Sequence, residues 1–185
     1  MSANIETIIA NLWQPADGGQ ASQLFAVLDA ARDDSIYPRL AMASAECTSL
    51  FKGAKAGEMA LVAPYLVRLR QNDPLTLWVL RNGWENHWGI FIQSPADFAA
   101  LKRHLRSLLQ VFDEQGNSLF FRYYDPRVLQ VYLPTCNGQE LKLFFGPVTS
   151  FCLSDADKKH TLLRFQLVDE ELLAERKPLG AEKPV

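Results

Sequence analysis

The sequence predicts an α/β layer fold: a mixed β-sheet flanked by helices, with a small C-terminal appendage. Three observations predict it. Apolar runs of strand length alternate with helical segments of about ten residues, the signature of sheet and helix layers. Several of those helices open on an acid or serine followed by proline, at Asp73-Pro74, Ser94-Pro95 and Asp125-Pro126, a cap and first-turn pairing. Val111-Phe112 and residues 119–124 flank a turn-rich stretch, which reads as a hairpin inserted among the crossovers.

In chain order, Ile5, Ile8, Ile9 and Leu12 recur at helical spacing before Pro15 and Gly18-Gly19 close the element. Residues 24–30 form an apolar run ending near Asp29 and read as a core strand. Residues 36–46 return to helical spacing, with Pro38 tolerated in a first turn. Residues 48–51 and 63–69 read as strands. Leu75, Trp78 and Val79 mark a helix from Asp73-Pro74 to Gly83, and residues 88–93 a strand. Ser94 is expected to cap the next helix, with Phe98, Leu101, Leu105 and Leu108 as its buried face. After the hairpin, Asp125 caps a helix whose stripe is Val128, Leu129, Tyr132 and Leu133. Asn137 opens another, broken at Gly146-Pro147. Residues 148–153 and 161–168 read as late strands. The expected organisation is an α/β core over 1–153, a short appendage over 154–176 and a flexible tail over 177–185.

Composition excludes several classes. The 185 residues carry a net charge of −2, with 48% hydrophobic and 22% charged side chains. That is an ordinary globular balance with no basic run, so neither nucleic acid nor an anionic membrane is an expected partner. No apolar run approaches the ~20 residues of a bilayer span, and the first residues lack the pattern of a secretory leader. Cys47, Cys136 and Cys152 are an odd set without metal spacing, which places the chain in a reducing, cytoplasmic compartment.

Reaction chemistry is poorly represented. There is no phosphate-binding glycine loop and no Gly-x-Ser-x-Gly elbow, and His87, His104 and His160 stand in no zinc arrangement. No catalytic residue, metal or cofactor is expected. His104, between Leu101 and Leu105, reads as a boundary histidine, and Cys136 as a structural thiol rather than a nucleophile.

Recognition chemistry is better represented. Trp84 and Trp88 flank Glu85-Asn86-His87, so they either anchor a partner from a loop or close the core. Arg122 is placed on one strand face with Phe120 and Tyr124, where it needs a carboxylate such as Asp29 or Asp125. Helical spacing puts Arg127 opposite the apolar stripe, as an exposed contact.

With those residues in view, the chain resembles the Tap or Tec effector adaptors of bacterial type VI secretion. The resemblance runs through Phe25-Ala-Val-Leu-Asp-Ala-Ala-Arg32, Ser49-Leu-Phe-Lys-Gly53, Ala63-Pro-Tyr-Leu-Val67, Trp88-Gly-Ile-Phe91 and His104-Leu-Arg106. It continues in Phe121-Arg-Tyr-Tyr-Asp-Pro-Arg-Val-Leu129 and Phe145-Gly-Pro-Val148, so it covers about 24–153. It implies a non-enzymatic chaperone that binds the N-terminal region of a cognate effector and helps load it onto the VgrG spike. Arg122, Tyr124, Asp125 and Arg127 match the family block. An immunity-type inhibitor of a toxin and a small hydrolase are the competing expectations.

Overall fold

The computed structural model describes residues 3–14, 22–112 and 115–180. Seven strands form one sheet in the order β2-β3-β1-β4-β7-β8-β9. They are β1 (Gln23–Asp29), β2 (Cys47–Ser49), β3 (Pro64–Leu69), β4 (Gly89–Ser94), β7 (Ser150–Ser154), β8 (Thr161–Val168) and β9 (Glu171–Pro178). A separate two-stranded sheet pairs β5 (Gln110–Phe112) with β6 (Ser118–Phe120). The helices are α1 (Ile5–Leu12), α2 (Ile36–Ala41), α3 (Ala54–Glu58), α4 (Pro74–Gly83), α5 (Phe98–Ser107), α6 (Pro126–Tyr132) and α7 (Gly138–Phe145).

The α/β class is as expected, but the sheet is antiparallel rather than mixed: among the described residues every pairing is antiparallel. Helices therefore link strands that do not run side by side in parallel. Residues 154–176, expected as an appendage, instead lengthen the same sheet through the β8–β9 pair. β9 escaped the sequence reading because Glu171, Glu175, Arg176 and Lys177 give it a polar, largely exposed surface. Charged edges of this kind discourage pairing with other chains. The opposite edge, β2, is only three residues long. Of the expected tail, Lys177 and Pro178 belong to β9, Leu179 is buried and Gly180 accepts a bond from the Asn4 N–H. Residues 181–185 lie outside the described residues.

The central strands are buried on both faces, from Leu24 to Asp29 in β1 and throughout β4 and β7. Close approach is required where β4 begins. A Cβ on Gly89 would lie 1.9 Å from the Val27 carbonyl oxygen, so only glycine fits. Buried Gln93 ties α1 to the sheet: its amide donates to the Leu12 and Gln14 carbonyls, and its oxygen accepts from Ser150 Oγ. Such a group is tolerated in a core because both of its ends are satisfied.

The caps follow local chemistry. Asp73 and Asp125 accept from the second N–H of α4 and α6, each with proline behind it, and Asn137 and Glu140 form a full capping box at α7. At α5 the cap is Asp97 rather than Ser94. Ser94 is buried and its hydroxyl donates to the Pro147 carbonyl. α2 is shorter than expected, ending at Ala41. Among the described residues no helix is long and apolar enough to cross a membrane.

Candidate functional site

The stretch expected to be a strand through Tyr124 turns earlier. β6 stops at Phe120; the Phe121 N–H donates to Leu109 and the Asp125 N–H to Arg122. The aromatic residues that suggested a two-faced strand pack in a cluster instead. Phe121 meets Tyr132 edge-on at 4.6 Å, and Tyr123 meets Phe144 at 5.9 Å. Phe144 continues to Phe151 of β7. Tyr123 donates its hydroxyl to the Leu105 carbonyl at 2.9 Å. This packing fixes a turn over 121–125 and aims the side chains that follow it.

Those side chains meet the end of β1. Asp29 is buried, and its Oδ1 accepts the Ala31 N–H at the start of the 3-10 turn Ala30–Arg32. Burial pushes the Asp29 carboxyl above its ordinary value, and the Ala31 N–H, Arg122 and Arg32 oppose the rise. Asp125 behaves differently. Burial would raise it too, yet the Arg127 side chain and N–H hold it below the ordinary value. Arg127 grips both oxygens, Nε to Oδ1 at 3.0 Å and Nη2 to Oδ2 at 2.6 Å, a bidentate geometry. Its side chain remains 49% exposed while that of Asp125 is 10% exposed.

Arg122 is exposed, not sheltered on a strand face as the sequence reading expected. Its charge still acts on Asp29 and on the Tyr124 hydroxyl. Tyr124 is fully buried, and among the described residues its hydroxyl meets no partner at hydrogen-bond geometry, with the Arg122 side chain nearby. Burial, with Asp29 beside it, pushes that phenol up to about 12. His87 joins from the α4–β4 loop at a positive φ of 53°, with Nδ1 2.9 Å from Ser154 Oγ. Burial and Arg127 lower its basicity. Arg32 donates to the Asn86 carbonyl. The result is a corner with two sunken carboxylates and three exposed guanidinium groups at its rim.

Trp84 and Trp88 are corrections. Both are core side chains, at 3% and 4% exposure, and so present no surface to a partner. Trp88 packs on Trp78 at 5.0 Å and lies so close to Gly83 that a Cβ there would sit 2.8 Å from its ring. Trp84 packs on Phe91 at 5.4 Å. The polar residues between them reach outward instead: Glu85 pairs with His160 at 3.1 Å.

The thiols are poor nucleophiles. Burial raises all three, Cys47 to about 12, and Cys136 leans on the Tyr132 carbonyl at 3.6 Å. Among the described residues no cluster of His, Cys, Asp or Glu could hold a metal ion. His104 is the boundary histidine expected, with Nε2 donating to the Phe144 carbonyl at 2.8 Å.

A family profile matches residues 24–143, from the start of β1 to α7, and is described as a domain of unknown function, DUF4123. The chain belongs to this family. Comparison with curated proteins and with solved structures finds no match. The DUF4123 region contains every side chain of the corner except Ser154. It also contains the whole turn from Phe121 to Leu129.

Sequence reasoning found Arg122, Tyr124, Asp125 and Arg127, which the fold does bring together. It named Asp29 as a carboxylate for Arg122, which the electrostatics support. It missed Arg32 and His87 as members. Arg32 lies in the first block of the resemblance, so a signal existed there, whereas nothing near His87 marks it as facing Asp125.

Proposed function

We propose that this DUF4123 protein is a type VI secretion adaptor. It binds the N-terminal region of a cognate effector in the producing cell and helps load it onto the VgrG spike. The observation that carries this reading is the corner itself. Arg127 is exposed but held in a fixed direction by a bidentate carboxylate, and the aromatic turn fixes the backbone that carries Arg122. Pre-oriented guanidinium groups over a rigid base recognise another polypeptide at low entropic cost. The family match, which spans four of the seven sheet strands, is compatible with that role.

The electrostatics point away from a reaction centre. The thiols are held as thiols, and Asp29 and Asp125 are engaged with a backbone N–H or an arginine. A loading factor must also release its cargo at the spike, which fits an interface near the common size of ~1,600 Å² with a few anchors.

The test is deletion of the gene in a secreting strain. One toxic effector should lose solubility or delivery while others are unaffected. Normal delivery of every effector would refute the adaptor role. An immunity-type inhibitor would instead protect a cell that expresses the toxin, and this chain should give no protection.

A further inference from the structure

A second surface lies where β2 leads into α3, beside α5 and the β5–β6 hairpin. It is a groove of about 190 Å³, and a cavity of roughly 150 Å³ already admits a benzene ring. Phe51 and Phe120 wall it, edge-on at 5.5 Å. Gln110 and Phe120 face each other across the hairpin and both line the groove. Phe112, two residues beyond Gln110, therefore shares that face, and it is 70% exposed. The apolar wall thus runs past the cavity into open solvent.

The charges here are one-sided. Lys52, Lys55 and Arg106 line the groove, and among the described residues none of its lining is acidic and none of the three makes an ion pair. Lys55 Nζ sits 4.4 Å from the centre of the Phe51 ring and 5.2 Å from that of Phe120. Arg106 donates to the Ser49 and Phe51 carbonyls, and among the described residues its buried Nε has no partner. Aromatic walls with uncompensated cations at the mouth complement an apolar side chain flanked by anions.

We infer that this groove docks an extended segment of a partner protein, with one large apolar side chain in the cavity and flanking Asp or Glu residues on Lys52 and Lys55. The inference rests on the adaptor reading and adds the chemistry of the bound segment. Three cations on a chain of net charge −2 do not form the basic stripe that nucleic acid needs.

The test uses the full chain and overlapping 15-residue peptides tiling the toxin whose delivery is lost when the gene is deleted. Retained peptides should carry Leu, Ile, Met or Phe with at least two acidic neighbours. The double variant Lys52→Glu/Lys55→Glu should weaken them about tenfold or more, with an unchanged melting temperature because both lysines are exposed. Changing the peptide's acids to lysine should restore binding to the double variant. Peptides retained equally well by the double variant, or displaced by single-stranded DNA, would overturn the groove assignment. So would no retained peptide at all while the intact toxin co-purifies with the wild-type chain, and the adaptor reading would then survive. Failure of the intact toxin to co-purify with the wild-type chain would overturn both.

Discussion

The corner at the end of β1 and the groove beside the hairpin are both made of cations on an aromatic base, but they differ in where the positive charge is answered. In the corner, Arg127 is answered by Asp125, and Arg122 and Arg32 by the field of Asp29. In the groove, among the described residues, Lys55 and Arg106 meet rings and carbonyls rather than acids. Internal compensation fixes a shape; its absence leaves charge available to a partner. The corner is thus the more rigid region and the groove the more receptive one.

The strongest way to break the comparison is to remove what joins the two regions. Phe144 backs the turn that leads from the hairpin to the corner, touching Phe121, Tyr123 and Tyr132. Phe144→Ala should cost about 3–5 kcal/mol in urea unfolding and disturb both surfaces. Asp125→Ala comes next. It removes the α6 cap and the partner of Arg127, for about 1–2 kcal/mol, and a loss well below that would show the corner to be less rigid than described. By contrast, Lys52→Glu/Lys55→Glu should change stability by no more than about 0.5 kcal/mol, since neither lysine holds the fold together.

Acid separates the regions further. His87 and His104 both sit below the ordinary value of 6.5, chiefly through burial. A lowered folded value means that protons bind the unfolded chain better. Stability is therefore complete above the unfolded value and declines as pH falls through the lowered folded values. The urea midpoint should drop between pH 7.5 and pH 5, and His104→Gln should narrow that gap even if it lowers both midpoints. The smallest effect is expected at Tyr124→Phe. Among the described residues its hydroxyl has no partner at hydrogen-bond geometry, so stability should stay within about 0.5 kcal/mol, and a larger loss would reveal a bond to Arg122.

Much of the fold was legible because it is written locally. Asp73, Asp125 and Asn137 announce their helices by cap chemistry, and β1, β3 and β4 by apolar runs. β9 was not, because Leu172 packs against the core but the charged residues from Glu175 to Lys177 leave no apolar alternation to read. The α6 stripe was half right: Leu129 and Leu133 are buried while Val128 is exposed. The candidate site was legible where chain proximity made it so, from Arg122 to Arg127. Its other members arrive from β1 and the α4–β4 loop, and only strand order brings them there. Exposure was the hardest property to read. Trp84 and Trp88 look like loop anchors in sequence, yet close packing against Phe91, Trp78 and Gly83 takes both into the core.

Calorimetric titration of the purified chain with the N-terminal region of the toxin whose delivery depends on it tests the central claim most directly. Saturable binding with a dissociation constant on the order of micromolar or tighter, weakened by Arg127→Glu without loss of fold, is the expected result. Absence of any binding between two folded partners would contradict it.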